Sequence, residues 1–161
     1  MEQGSIQIYY GDGRGKTNAA LGIALKAASD DKNVIIIQFF KGKTDELSEY
    51  IQRLEPEIKV FRFEKSEGYY EDLSEEEKAE EQINIRNGLN FAKKVLITGE
   101  CNVLILDEVL GLIDAGIISA EELEAVVQAK TDETDIIMTG RVLEDSVRTY
   151  ADAIFNIVAE K

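Results

Sequence analysis

Short apolar runs separated by longer amphipathic stretches set the rhythm of this chain. Five runs stand out, at 6–10, 34–40, 58–63, 103–106 and 136–138, and a sixth at 153–158 closes the sequence. Val and Ile dominate most of them, and several are apolar almost throughout. A strand that is apolar on both alternating faces is covered on both sides, as in a parallel sheet. Between the runs the period changes to that of a helix. Ala20, Leu21, Ala24, Leu25 and Ala28 form one stripe along 17–28. Ser74-Glu75-Glu76-Glu77 is a capping box that opens a helix running toward Ile97, with Ile85, Leu89, Ala92 and Leu96 on its apolar face. Ser119-Ala120-Glu121-Glu122 opens another, to about Ala129, and 143–150 predicts a short fourth helix.

Strands alternating with helices predict βαβ units, hence a three-layer α/β fold with a mostly parallel central sheet of about six strands. No linker or internal repeat breaks the pattern, so one domain over 1–161 is expected. The charged stretch 64–81 is the least core-like. Its first half, with Gly68, Tyr69 and Tyr70, reads as a surface loop, and its acidic run 75–81 as the solvated start of a helix.

Composition narrows the chemistry. Lys plus Arg number 18 and Asp plus Glu 32, a formal charge of −14. Such a chain repels polyanions, so neither nucleic acid nor an anionic membrane is an expected partner, and any anionic ligand needs a local set of donors. The absence of His removes histidine bases, triads and metal ligands. The single cysteine, Cys101, excludes an internal disulfide and cysteine-rich metal sites, and its place before an apolar run predicts a small core residue. Met1-Glu2-Gln3-Gly4 is not a signal peptide, and no apolar run approaches the ~20 residues that span a bilayer. A cytoplasmic location is expected.

The sharpest feature is Gly11-Asp12-Gly13-Arg14-Gly15-Lys16-Thr17. It comes directly after an apolar strand and opens a helical pattern, the context a phosphate-binding loop requires. The glycines let the backbone turn its N–H groups toward phosphate oxygens, and the helix start adds its dipole. Lys16 supplies a point charge, and the Thr17 hydroxyl is a ligand for Mg²⁺. The loop is one residue shorter than the common form, because Tyr10 stands where the first Gly would be. A second element, Val103-Leu104-Ile105-Leu106-Asp107-Glu108, is an apolar strand ending in two carboxylates. In P-loop folds this strand is expected beside the loop strand, with Asp107 toward Mg²⁺ and Glu108 toward a water or a sugar hydroxyl. Thr139-Gly140-Arg141 and Gln38-Phe39-Phe40-Lys41-Gly42 end two further strands at the edge where ligands gather in open α/β sheets. Arg141 and Lys41 are candidate phosphate donors there, and the Phe pair is expected in the core or a pocket wall.

These residues together resemble the P-loop corrinoid adenosyltransferases. The resemblance rests on Tyr10-Gly11-Asp12-Gly13-Arg14-Gly15-Lys16-Thr17 and, just after it, Ala19-Ala20-Leu21-Gly22. It extends, in order, to Gln38-Phe39-Phe40-Lys41-Gly42, Leu106-Asp107-Glu108-Val109 and Thr139-Gly140-Arg141. It covers nearly the whole chain. It implies a RecA-like fold, homodimers, and ATP held in reversed orientation across the short loop. It also implies a reaction in which the 5′-deoxyadenosyl group of ATP passes to Co(I) of a corrinoid, with release of triphosphate. Mg²⁺ or Mn²⁺ is implied as the metal and a flavoprotein reductase as a source of Co(I). Co(I) is itself a strong nucleophile, which suits a chain without His.

Carried over residue by residue, the resemblance implies that Gly11, Asp12, Gly13, Arg14, Gly15, Lys16, Thr17 and Asn18 bind the nucleotide and metal. Asp12 stands where the family usually has Asn, and Lys26 where Arg is common near the nucleotide. Glu108 would contact the ribose and Arg141 the phosphates. A family loop after the third strand carries aromatics that help remove the lower axial ligand of cobalt; here it matches Ser66-Glu67-Gly68-Tyr69-Tyr70-Glu71, without Trp. Tyr69 or Tyr70 either does that work or is an amphipathic surface residue. Family members often extend past the last strand with Lys-His and Gly-rich elements, and some carry an N-terminal arm. This sequence shows neither and reads Ala159-Glu160-Lys161 at its end. Two other readings are a RecA-like ATPase and a non-catalytic nucleotide- or corrinoid-binding module. A small-molecule kinase fits less well, since the sequence after the loop contains no Arg-rich lid segment.

Overall fold

In a computed structural model that describes residues 4–40 and 46–161, with side chains from 49 onward in the second segment, strands and helices alternate along the chain. The order is β1 (Ile6–Tyr10), α1 (Lys16–Ser29), β2 (Val34–Gln38), α2 (Glu46–Ile51), β3 (Ile58–Phe61), α3 (Glu75–Thr98), β4 (Val103–Asp107), α4 (Leu110–Asp114), α5 (Ala120–Val127), β5 (Asp135–Gly140), α6 (Asp145–Arg148) and β6 (Ala153–Asn156). The helix starts obey the capping logic. Ser74 Oγ accepts the Glu77 N–H at 3.2 Å, and Ser119 Oγ accepts the Glu122 N–H at 3.1 Å. Each such cap contributes about 1 kcal/mol. Gly99 ends α3 at φ 66°, a left-handed turn that glycine adopts without a Cβ penalty. Helices α2 and α4 are absent from the periodicity because each is a turn or so long, too short to display a stripe. The strands β2, β3 and β6 stop earlier than their apolar runs. In β2 the cause is Phe40, which turns away at φ 57°.

Every pairing in the sheet is parallel, in the order β3-β2-β4-β5-β1-β6. Alternate residues of each central strand feed two cores. Ile35, Ile37, Leu104, Leu106, Ile136 and Met138 face α3 and α5, with Ile85, Leu89, Leu96 and Leu123. Val34, Ile36, Val103, Ile105 and Ile137 face α1, with Ala20, Ala24 and Ala27. The period of two thus divides one apolar run between two layers of helices, which gives the three-layer α/β arrangement. Cys101 lies in the first core, 4% exposed, and burial pushes its thiol up to about 11.

The expected adjacency of the loop strand and the carboxylate strand does not hold. Strand β5 lies between β1 and β4. Register still gathers their carboxyl ends: Tyr10 pairs with Gly140, and Gln38 with Asp107. A parallel sheet puts every strand's C-terminal end on one edge, so the residues just past β1, β2, β4 and β5 meet there.

Candidate active site

The phosphate loop occupies residues 11–15, between the end of β1 and the start of α1. Gly11 N–H donates to Gly140 O at 3.1 Å and Gly13 N–H to Ile157 O at 2.9 Å. Two of the loop amides therefore hold the loop to β5 and to the chain after β6, a correction to the picture of all the glycine amides facing phosphate. Gly13 has no room for a side chain, since a Cβ there would stand 2.7 Å from Ile157 O. Gly15 precedes α1 at φ 101°, a conformation that favours glycine. The first bond of the α1 ladder is Ala19 N–H to Gly15 O at 2.8 Å. The amides of Lys16, Thr17 and Asn18 precede that ladder, and these are the anion-facing groups a helix start provides. Lys16 is buried, and its ammonium donates to Gly11 O at 2.6 Å and Gly13 O at 3.1 Å. Asp12 and Arg14 are exposed, and Arg141 Nη2 reaches Asp12 Oδ1 at 3.4 Å, an exposed pair that brings the β5 edge to the loop.

Asp107 ends β4, almost fully buried. Thr17 Oγ1 lies 3.1 and 3.3 Å from its two carboxylate oxygens, although β5 separates their strands. The end of β5 is closely packed beside this pair. Gly140 packs against Leu110, leaving no space for a Cβ. Thr139, fully buried, donates to Asp107 Oδ1 at 2.8 Å and accepts the Glu108 N–H at 2.8 Å. Glu108 itself has φ 63°. A non-glycine residue in that region carries roughly 1–3 kcal/mol of strain that the surroundings must offset. The carboxylate and hydroxyl oxygens of Asp107 and Thr17 are hard donors of the kind Mg²⁺ takes. No cluster of three or more His, Cys, Asp or Glu able to hold a metal occurs among the described residues.

Beside Glu108 lies a cavity of about 420 Å³ walled by Phe40, Tyr69, Tyr70, Gly111, Arg141 and Val142. The two tyrosines differ. Tyr70 is pinned: Gln82 Nε2 donates to its hydroxyl at 2.8 Å, Lys78 Nζ stands 5.7 Å from its ring centre, and Phe40 packs at 5.6 Å. Tyr69 is 76% exposed at the cavity rim. Phe39 is buried in the core and Phe40 lines the cavity, so the Phe pair serves both of its expected uses. The Phe40 turn is held by Glu64, whose carboxylate oxygens accept the Phe40 N–H at 3.0 and 3.1 Å. Burial, reinforced by Glu81, raises the Glu64 carboxyl to about 7, against the lowering by the Phe40 amide and Arg62.

The fold thus brings Gly11, Asp12, Gly13, Arg14, Gly15, Lys16, Thr17, Asn18, Asp107, Glu108, Arg141 and Tyr69 to one edge of the sheet. It does not bring Lys26 there. That residue is exposed in the last turn of α1, ten residues beyond Lys16 and hence about 15 Å along the helix. Lys41 lies outside the described residues. Thr139 and Glu64 are the contributors that sequence reasoning missed. Thr139 carried a signal, its place in Thr139-Gly140-Arg141 at a strand end, whereas Glu64 is one acid in a charged stretch and carried none.

The chain is also similar to known proteins over nearly its whole length. The profile of the family described as ATP:corrinoid adenosyltransferase BtuR/CobO/CobP matches residues 2–161. The chain is 29% identical over 163 residues to an uncharacterized protein of Nostoc, covering 92% of this chain and 42% of that protein. It is 27% identical over 153 residues to the corrinoid adenosyltransferase of Escherichia coli, covering 95% of this chain and 76% of that one. It is 26% identical, over the same shares, to the corrinoid adenosyltransferase CobA of Salmonella typhimurium. The chain therefore spans less than half of the Nostoc relative and about three quarters of the two enterobacterial ones. With a match that runs the length of the chain, and a shortened phosphate loop set against an Asp-Glu strand end, this chain belongs to the ATP:corrinoid adenosyltransferase BtuR/CobO/CobP family.

Proposed function

We propose that this protein moves the 5′-deoxyadenosyl group of ATP onto the Co(I) centre of a corrinoid and releases triphosphate. The observation that carries the reading is the juxtaposition at one sheet edge. Lys16 and the α1 start lie on one side, and a cavity with Glu108 and two tyrosines on the other. Such a site holds an anionic leaving group next to a space for a second, bulky substrate.

In this reaction Co(I) attacks C5′ of the ribose. A Co–C bond forms, the C5′–O bond breaks, and its electron pair leaves with triphosphate; cobalt is oxidised to Co(III) as C5′ is alkylated. The protein needs no nucleophile of its own. Its work is to align C5′ with cobalt and to receive the charge that accumulates on triphosphate. Lys16, with the amides of Lys16, Thr17 and Asn18, receives that charge, and Arg141 adds a donor from the β5 edge. Gly11, Asp12, Gly13, Arg14 and Gly15 shape the cradle. Thr17 and Asp107 would hold Mg²⁺ or Mn²⁺, which neutralises charge on the phosphates when bound. Glu108, facing the cavity, accepts from ribose hydroxyls. Tyr69, exposed at the rim and without the contacts that pin Tyr70, is the aromatic that displaces the lower ligand of cobalt.

The same reading makes 1–161 one catalytic domain that works as a homodimer in the cytoplasm, supplied with Co(I) by a flavoprotein reductase. No helix among the described residues is long and apolar enough to cross a membrane.

The test is an anaerobic reaction with ATP, Mg²⁺ and chemically reduced cob(I)alamin, monitoring loss of the Co(I) absorbance and identifying the phosphate product. Adenosylcobalamin formed in step with triphosphate is expected. Release of inorganic phosphate with no change at cobalt would replace this reading with an ATPase.

A further inference from the structure

Among the described residues, Thr139 joins the two halves of the site. It ends β5, the strand that separates β1 from β4, and is fully buried. Its Oγ1 stands 2.8 Å from Glu108 N and 2.8 Å from Asp107 Oδ1. A backbone amide can only donate, so Oγ1 accepts from Glu108. The hydroxyl has one proton, and it goes to Asp107. The result is a directed chain from the Glu108 N–H through Thr139 to Asp107 Oδ1. Thr17 Oγ1 approaches the same carboxylate from α1, at 3.1 Å from Oδ1 and 3.3 Å from Oδ2.

Each end of this chain has a consequence. At Asp107, the Thr139 donor fixes the rotation of a buried carboxylate that the Thr17 hydroxyl also approaches. At Glu108, the bond captures the amide of a residue held at φ 63°, and that backbone conformation turns the Glu108 side chain to the cavity. The side chain of Glu108 also sits close over Gly111, at the start of α4, so a change in its backbone is transmitted directly to the cavity wall.

We propose that Thr139 is a positioning residue that ties the metal-side carboxylate Asp107 to the cavity-side residue Glu108, so that the two move as one unit. The roles of Asp107 and Glu108 in it rest on the adenosyl-transfer reading; the coupling itself is tested without a corrinoid.

The experiment measures ATP binding by calorimetry, with and without Mg²⁺, in the wild type, Thr139→Val and Thr139→Ser. Valine keeps the shape and loses the hydroxyl; serine keeps the hydroxyl. The gain in ATP affinity from Mg²⁺ is expected to shrink about tenfold or more in Thr139→Val, the scale of a lost bond to a charged group, and to stay within about threefold in Thr139→Ser. Affinity without Mg²⁺ is expected to change far less in either. Because Thr139 acts through Asp107, adding Thr139→Val to Asp107→Asn is expected to cost little more of the Mg²⁺ gain than Asp107→Asn alone. Thermal melts report folding, and should valine unfold the strand end, Thr139→Cys, with a weak S–H donor, carries the same comparison.

An undiminished Mg²⁺ gain in Thr139→Val overturns the proposal. So does a loss in Thr139→Ser equal to that in Thr139→Val, which would make methyl packing the cause. Absence of any Mg²⁺ gain in the wild type overturns it together with the metal assignment. A wild type that shows the Mg²⁺ gain and the Thr139 dependence but does not alkylate cob(I)alamin removes the adenosyl-transfer reading alone and supports the coupling.

Discussion

Replacing Lys16 with alanine separates what this residue does for the fold from what it does for the reaction. In the structure its ammonium is buried and donates to Gly11 O and Gly13 O at 2.6 and 3.1 Å. Hydrogen bonds from a charged donor are worth about 1.5–3 kcal/mol each, but burying the ammonium costs several kcal/mol in return, so the net loss to the fold is expected at about 1–2 kcal/mol. For a chain of this size that lowers Tm by roughly 2–8 °C. The loss to the reaction is larger. Removing one preorganised donor from the place where negative charge accumulates costs about 2.7–4 kcal/mol, or roughly 10²–10³ in turnover. The assay is the anaerobic decay of the cob(I)alamin absorbance under saturating ATP, paired with a thermal melt of the same sample. A folded Lys16→Ala protein that turns over within tenfold of the wild type would refute the placement of Lys16 at the triphosphate.

Three further outcomes are expected. Tyr69→Ala lowers turnover about tenfold or more, equivalent to about 1.4 kcal/mol in the barrier, with ATP affinity unchanged within about twofold; an unchanged rate disqualifies Tyr69 from cobalt chemistry. The Glu64 carboxyl titrates at about 7 in the folded chain against an ordinary 4.5, so between those values the folded chain holds a proton the unfolded chain has released, and stability falls as pH rises through that window and levels above it. Glu64→Gln, which keeps an acceptor for the Phe40 N–H, flattens that part of a Tm-against-pH curve, and an unaltered slope would place the titration elsewhere. Leu106→Ala, at a fully buried position of β4, costs about 3–5 kcal/mol from lost transfer energy and the cavity left behind, seen as a shift in the denaturant midpoint; a cost under about 1 kcal/mol would mean β4 is not packed between two layers.

The β strands, the long helices and the phosphate loop were legible in the sequence because each is written in near neighbours. Val34-Ile35-Ile36-Ile37 is apolar on both faces because both faces are covered. Ser74 and Glu77 cap α3 within a single turn. Gly15 before Lys16-Thr17 supplies the left-handed backbone a strand-to-helix junction needs. The reading of Asp107 and Glu108 as candidate site residues rested on their place at the end of an apolar run taken together with the phosphate loop. The capping geometry and the double-sided strands arise from the 3.6 and 2.0 periods of the backbone, which act over a few residues and survive without the rest of the molecule.

What the tertiary structure decided is everything that depends on residues far apart in the chain. No local pattern indicates that β5 enters between β1 and β4. Strand order is set by which crossovers pack their helices onto the sheet, and that is a property of the whole layer. With that order, Thr17 and Asp107, 90 positions apart, come within 3.1 Å, and Thr139 links Asp107 to Glu108. The same long-range packing turned Phe40 into the cavity on the Glu64 carboxylate and left Lys26 at the far end of α1. The sequence by itself determined the strands and the longer helices and which residues carry charge at their ends; only the tertiary structure decided which of those ends meet, because the entropy lost in bringing distant residues together is offset by the packing of the entire sheet and not by any segment of it.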